Sequence, residues 1–179
     1  KLRLVDIIHA EQYSGPRHIK TSKDGKYIYI IHEAKSYIGV YKYEEKSEGN
    51  PVFELIETVP TINDYHTDDT AASALNLSSD YKYLVTTNVG DNSAAIFEID
   101  QKEGTLSRIL CLPVSGMYPK DAALFPDNKH LVSLNHENNT MTFFAVDLEK
   151  GTLAMNTKEI KIDQPNCVVF HKLGGGSDD

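Results

Sequence analysis

The feature that most constrains the fold of this chain is an internal repeat. Residues 80–88 align with residues 127–135 at an offset of 47, and the match continues without a gap to the Gly-Thr-Leu runs at 104–106 and 151–153. An earlier copy begins at Asp24, offset by 56 from the second copy. Repeat units of about 40 to 50 residues with four short strands each are typical of β-propeller blades.

Each repeat unit is predicted to contain four strands, A to D. In the first unit we expect A at 17–21, B at 26–32, C at 38–43 and D at 52–59. Strand B is apolar on both faces, as expected of a sheet that neighbouring blades cover on both sides. Convincing helical periodicity is absent from the sequence. The fold class predicted is therefore all-β.

The two ends of the chain match single strands of the repeat. Residues 1–9 match a D strand, and residues 165–170 match an A strand. The prediction is a β-propeller fragment with a leading D strand, three complete four-stranded blades and a trailing A strand. The blades are expected at about 15–59, 70–114 and 118–162.

Three blades cannot close a ring, because propellers need about four to eight. We therefore interpret residues 1–172 as the C-terminal half of a larger propeller whose remaining half lies upstream of Lys1, and 173–179 as a flexible Gly-rich tail. This half alone is expected to be inactive. Its apolar end blades are expected to contact the missing half or to form a homo-oligomer.

Composition excludes several kinds of partner. The formal net charge of -8 argues against a nucleic-acid partner, which requires a basic face. No apolar run approaches the roughly 18 residues of a membrane helix. Cys111 and Cys167 are not in metal-ligand spacing, and we interpret them as buried, small apolar residues in a reducing, cytoplasmic compartment.

Two motifs resemble one protein family. The run 15–18, Gly-Pro-Arg-His, followed by His32-Glu33, and the run 118–121, Tyr-Pro-Lys-Asp, followed by Phe-Pro-Asp at 125–127, are similar to motifs of the lactonase family of seven-bladed β-propellers. The resemblance covers nearly all of residues 1–171. It implies that the last blade is shared between the two chain termini. It also implies hydrolysis of 6-phosphogluconolactone or lactonisation of carboxymuconate, with no metal and no organic cofactor.

The chain departs from this family at two arginine positions. Thr70 and Lys120 stand where family members often carry arginine. The arginine fork suits phosphate in two-point contact, whereas lysine is a point charge. These departures weaken the case for a doubly charged phosphate substrate.

Hairpin geometry predicts a site at one mouth of the propeller channel. If the first turn is centred between Asp24 and Gly25, the start of strand A lies beside the end of strand B, so Arg17 lies opposite His32 and next to Glu33. By the same arithmetic, Lys120 lies opposite Asn135 in the third blade, and Asp69 lies near Gly90 in the second. The residues then expected on this face are Arg17, His18, Glu33, Asp69, Lys120, Asn135, His136 and Asn166.

The predicted chemistry is hydrolysis of a lactone by base-assisted attack of water. Ring opening needs a base and a donor for the developing oxyanion. Glu33 is the first choice for the base and His18 the second, and Arg17 would hold the carbonyl oxygen. We expect the substrate-binding residues to be Lys120, Asp69, Asn135, His136 and Asn166.

Three alternatives stay open at this point. Arg17 and Glu33 could form a purely structural ion pair between strands A and B. The same fold could carry a lactonising cycloisomerase of muconate-type dicarboxylates. It could also be a non-catalytic propeller scaffold that binds proteins. The favoured hypothesis is a lactone hydrolase whose partner is a small-molecule lactone.

Overall fold

The computed structural model describes residue 4 and residues 6–46, 51–63 and 69–171. In these residues the chain forms three antiparallel sheets, each with its strands in sequence order. The only helical element described is a single 3-10 turn, Glu33–Lys35. The prediction of an all-β chain built from three consecutive four-stranded blades is confirmed.

The blades follow the repeat closely. The first comprises β1 (Pro16–Thr21), β2 (Tyr27–His32), β3 (Tyr37–Glu45) and β4 (Pro51–Pro60). The second comprises β5 (Ala71–Leu77), β6 (Tyr83–Val89), β7 (Ser93–Ile99) and β8 (Leu106–Pro113). The third comprises β9 (Pro119–Leu124), β10 (His130–Asn135), β11 (Thr140–Asp147) and an outer strand in two pieces, β12 (Thr152–Met155) and β13 (Ile160–Lys161), both paired with β11.

Equivalent turns explain why the first two innermost hairpins form alike. In the first blade Ser22 Oγ donates to Asp24 Oδ1 and accepts from the Tyr27 amide. In the second blade Ser78 Oγ likewise donates to Asp80 Oδ1 and accepts from the Tyr83 amide, each residue lying 56 positions after its counterpart. A serine and an aspartate that satisfy the backbone locally favour a tight turn at this point.

The cores lie between the blades. One buried cluster joins the first two blades and includes Tyr29, Ile31 and Phe97. A second cluster joins the second and third blades and includes Leu131 and Phe144. Each sheet is thus apolar on the face that a neighbour covers, which accounts for strands B that are apolar throughout.

Tyrosines fix the second blade on the first. Tyr27 donates from its hydroxyl to the carbonyl of Lys102, and Tyr29 donates to that of Gly104. These two acceptors lie in the turn between the third and fourth strands of the second blade. Both tyrosine rings are buried, so the two residues combine apolar packing with satisfied hydroxyl groups.

The leading D strand and the trailing A strand are not paired as strands in the described part of the chain. Residues 6–10 and 165–171 have no strand assignment. A strand needs a hydrogen-bonded neighbour, and the B and C strands predicted to pair with these segments are not among the residues of this chain. Residues 165–170 nevertheless lie beside the third blade, where Phe170 contacts Phe125 at 4.5 Å between ring centroids.

Some predictions fall on residues outside the described ranges. The predicted flexible tail at 173–179 lies outside them, and so do residues 1–3 and 5 of the predicted leading strand. Within the described residues, no helix has the length and apolar character that crossing a membrane requires.

Candidate active site

A β-bulge recurs at the start of the innermost strand of each blade. In the first blade Pro16 pairs with His32. The next pair joins His18 to Ile31, so Arg17 is the extra, unpaired residue. In the second blade the corresponding irregularity falls between Ala72 and Leu75. A bulge re-aims the side chain of the extra residue, and here it does so beside the channel.

The third blade has its bulge at Lys120. Asn135 pairs with Pro119, and Leu134 pairs with Asp121, which leaves Lys120 as the extra residue. A strict hairpin register predicts Arg17 opposite His32 and Lys120 opposite Asn135, and both predictions are wrong by one position because that register contains no bulge. Lys120 and Arg17 are therefore equivalent residues that two bulges orient in the same way.

One cavity of about 330 Å³ gathers residues from all the innermost strands. It is lined by residues of β1, β5 and β9 and by the segment after the third blade. The lining residues are Arg17, His18, Lys20, Ala74, Leu75, Asn76, Lys120, Asp121, Asn166 and Cys167. Four predicted site residues thus lie at one opening, and three polar residues that were not among the candidates, Lys20, Asn76 and Asp121, join them.

Arg17 and Glu33 form an ion pair at the rim of this cavity. Arg17 Nη1 donates to Glu33 Oε2 at 3.0 Å, and the two side chains are 30% and 41% exposed. Glu33 begins the 3-10 turn that follows β2, so the turn carries the carboxylate beside the bulged arginine. An exposed pair of this kind contributes little to stability, which leaves its geometric effect on Arg17 as its main consequence.

His18 faces the cavity with a pKa below the ordinary value. His18 is exposed at the mouth of the cavity, and its partial burial is the largest cause that lowers its pKa; the adjacent Arg17 lowers it further, and the carboxylate of Asp121 opposes both. The imidazole is therefore neutral at neutral pH. A neutral imidazole in a cavity beside a guanidinium can accept a proton from water.

Lys120 is held over an aromatic ring. Its Nζ lies 4.6 Å from the ring centroid of Tyr118, in cation–π geometry. Tyr118 adopts a positive φ of 57°, a strained conformation for a tyrosine, and its amide donates to Asn92 Oδ1. The loop that enters β9 is thus fixed at the point from which Lys120 projects.

Asp121 is a buried carboxylate that the sequence analysis did not select. Its Oδ1 accepts from Asn76 Nδ2 at 2.6 Å and from the Ala122 amide at 2.9 Å, and its Oδ2 accepts from the Val168 amide at 2.9 Å. Neutral donors satisfy both oxygens. The signal that could have found it is a carboxylate in a strand whose next three residues are all apolar, Ala-Ala-Leu.

Besides Glu33 at the rim, three predicted site residues lie outside the cavity lining. Asn135 is fully buried, and its amide donates to Thr140 and Thr142, so it does not face the channel. Its register beside the bulge turns it into the blade. His136 is half-buried with Nδ1 at 3.4 Å from the Pro165 carbonyl oxygen. Asp69 is exposed, and its backbone carbonyl packs against Gly90, near which it was predicted to lie.

The two cysteines differ in environment. Both are free thiols, and Cys111 is buried as predicted. Cys167, also predicted to be buried, is exposed and lines the cavity. No group of three or more metal-ligating residues occurs within the described ranges. Absence of a cofactor stays a prediction.

Comparison with protein families gives one match over nearly the whole chain. The model of the lactonase family, described as a seven-bladed β-propeller, matches residues 1–170. Among curated proteins, the 6-phosphogluconolactonase of Bacillus subtilis is 30% identical over 116 residues, which is 63% of this chain and 32% of that protein. The chain therefore spans about a third of the length of this relative.

Solved structures give the same result at the level of the fold. A periplasmic gluconolactonase of Pseudomonas aeruginosa superimposes with a TM-score of 0.80 at 25% identity, over 89% of this chain and 43% of that one. A structure titled as a putative 6-phosphogluconolactonase of Bacteroides fragilis gives a TM-score of 0.76 at 28% identity, over 89% and 43%. These proteins are more than twice as long as the region they share with this chain.

Proposed function

The chain belongs to the family of seven-bladed β-propeller lactonases, and on that basis we propose that the protein carrying it hydrolyses the lactone of a sugar acid, such as 6-phosphogluconolactone. One observation carries the proposal. Arg17, His18 and Lys120 line a single cavity of about 330 Å³ where the innermost strands converge. Two cations and a neutral imidazole around one opening suit a substrate that is both an ester and an anion.

His18 is the base in this mechanism. It lines the cavity and its pKa is lowered, whereas Glu33 lies at the rim with one oxygen bonded to Arg17. The imidazole removes a proton from water as the water oxygen bonds to the lactone carbonyl carbon. The ring C–O bond then breaks, and the departing alkoxide takes the proton back from the imidazolium. The product is the open-chain hydroxy acid, with all atoms of the lactone and of one water.

Arg17 stabilises the charge that develops on the carbonyl oxygen. A donor aimed at an oxyanion contributes about 2.7–4 kcal/mol to lowering the barrier in well-organised sites. Glu33 keeps the guanidinium in place through the 3.0 Å contact. In this arrangement Glu33 is a positioning residue, and the alternative in which Glu33 is itself the base is tested directly below.

The activity is tested on the protein that carries this chain together with its upstream blades. Purified protein is supplied with a panel of sugar-acid lactones, and proton release is followed with spontaneous hydrolysis subtracted. Hydrolysis above background supports the proposal. A protein that instead lactonises a muconate-type dicarboxylate, or that acts on neither class, contradicts it. The cytoplasmic location is part of the same proposal and is tested by cell fractionation.

A further inference from the structure

Lys20 lies where two cavities meet. The cavity that holds Arg17 and His18 shares Lys20 and Asn76 with a second cavity of about 270 Å³. Most of the second cavity is formed by apolar side chains of β9 and of the segment after the third blade. Among its described lining residues, Lys20 is the only charged one. The lysine therefore marks the inner end of the candidate active site.

The strand register sets the direction and the depth of Lys20. Lys20 pairs with Tyr29, and His18 pairs with Ile31. Both partners belong to the core between the first two blades, so His18 and Lys20 project from the same side of β1. Two residues of strand separate the Cα atoms of His18 and Lys20 by about 7 Å.

Lys20 differs from the other charged groups of the cavity in that its ammonium has no described hydrogen-bond, ionic or cation–π partner, whereas Lys120, which also lacks a carboxylate partner, lies over the ring of Tyr118. Arg17 is paired with Glu33, and both oxygens of Asp121 are occupied by neutral donors. Within the described ranges no carboxylate lies within salt-bridge distance of Lys20.

The equivalent position in the second blade shows what a structural residue does there. Asn76 is the counterpart of Lys20 at the 56-residue offset. Its amide donates to Asp121 and to the carbonyl of Ala122, which ties two blades together. Lys20 makes no such tie in the described residues. Its half-buried ammonium is thus available to a ligand in the channel.

We propose that Lys20 binds a second, remote anionic group of the substrate, and that this group is the terminal phosphate of a phosphorylated sugar-acid lactone. The proposal rests on the proposed lactone hydrolysis, whose reacting ester would lie at His18 and Arg17. A lysine is a strong point-charge partner for phosphate. Because the phosphate does not react, Lys20 contributes equally to ground-state and transition-state binding.

The test compares one lactone with and without its terminal phosphate, in the protein with its upstream blades. We expect Lys20→Gln to raise KM for the phosphorylated lactone by about 10- to 100-fold, the usual range for a lost hydrogen bond to a charged group. Its kcat, and both constants for the unphosphorylated lactone, should change by less than about twofold. Lys20→Arg should restore the low KM. Lys23→Gln, which changes an exposed lysine three residues away, is the matched control and should have no effect on either substrate.

The outcomes separate this proposal from the proposed function. An equal loss on both lactones, or no change on the phosphorylated one, overturns the role of Lys20. If the unaltered protein hydrolyses neither lactone, the proposed function fails, and binding of the phosphorylated open-chain acid by calorimetry then decides the role of Lys20. Weaker binding by Lys20→Gln than by the unaltered protein, with the difference shrinking as salt is raised, supports it. Equal binding overturns it.

Discussion

The backbone amide of Val168 donates a 2.9 Å hydrogen bond to Oδ2 of Asp121, and this contact holds the segment after the third blade against the innermost strand of that blade. The other oxygen of the same carboxylate accepts from Asn76 in the second blade. One buried side chain thus links three consecutive parts of the channel wall. Its carboxylate also acts on His18, where it raises the pKa of the imidazole and so opposes the lowering by burial. The cavity lining therefore depends on a residue that need not touch the substrate.

Replacing Asp121 should loosen this wall. Asp121→Ala leaves the Val168 amide without its acceptor and the Asn76 amide with only the Ala122 carbonyl, and a buried group left unsatisfied costs about 1–3 kcal/mol. We expect a loss of that size in the free energy of unfolding, measured by urea denaturation. Asp121→Asn keeps one acceptor oxygen and should lose less. Asp163→Ala, at an exposed aspartate, is the control, and a loss as large as that of Asp121→Ala would contradict the linking role.

A second prediction concerns the pH dependence of stability. Burial lowers the pKa of His32, which is 1% exposed and contacts Ser14 through Nδ1. The unfolded chain therefore binds a proton at a higher pH than the folded chain. The contribution of this group to the free energy of unfolding is fully present above the ordinary histidine pKa of about 6.5. It is lost as the pH falls below that value, by at most about 1.4 kcal/mol per pH unit.

The variant His32→Asn tests this sign. Asparagine occupies the equivalent positions, Asn88 and Asn135, in the other two blades, where it is fully buried, so the substitution suits the fold. We expect a shallower loss of unfolding free energy between pH 6.5 and pH 5, with His18 supplying part of the slope that remains, since its pKa is lowered too. His171→Asn, at an exposed residue, should leave the slope unchanged. An unaltered slope in His32→Asn would refute the assignment.

Cys167 offers a reporter of ligand binding. It is an exposed thiol in the lining of the candidate site, whereas Cys111 is buried and burial raises its pKa. We expect iodoacetamide to modify Cys167 in the folded protein and Cys111 only after unfolding, as mass spectrometry can show. A bound sugar acid at about ten times its Kd should slow the modification of Cys167 about tenfold, since a tenth of the molecules is then free. Saturable binding without protection would place the ligand elsewhere.

The repeat in the sequence predicted the blades, and the first two copies carry the same turn chemistry at equivalent positions. Ser22 and Asp24, with their counterparts Ser78 and Asp80, are local signals that need no tertiary information. The bulges are different, because they depend on how a strand meets the channel and its neighbours. The register at Lys120 was therefore wrong by one residue, and Asn135 was assigned to the channel when it points into the blade.

The composition of the cavity was also only partly predictable. Arg17, His18, Lys120 and Asn166 came from hairpin geometry and the family motif, and all four line the cavity. Lys20 lies outside the motif and was not selected, although the offset of 56 relates it to Asn76. A comparison of equivalent positions along all the innermost strands would have found Lys20 and Asn76. Whether Lys20 has an ionic partner depends on carboxylates from other blades, which no local pattern specifies.

The identity of the base is the sharpest test of the proposed mechanism, and it compares two conservative variants in the protein with its upstream blades. If His18 is the base, His18→Gln should lower kcat for lactone hydrolysis by about 10²- to 10⁴-fold with little change in KM. It should also remove the acidic limb of the pH–rate profile, which His18 places below the usual histidine range because its pKa is lowered. Glu33→Gln should keep that limb, since glutamine still offers an oxygen acceptor to Arg17 and only the strength of the 3.0 Å contact changes. The opposite pattern, with the limb lost in Glu33→Gln and kept in His18→Gln, would make Glu33 the base and reduce His18 to a wall of the cavity.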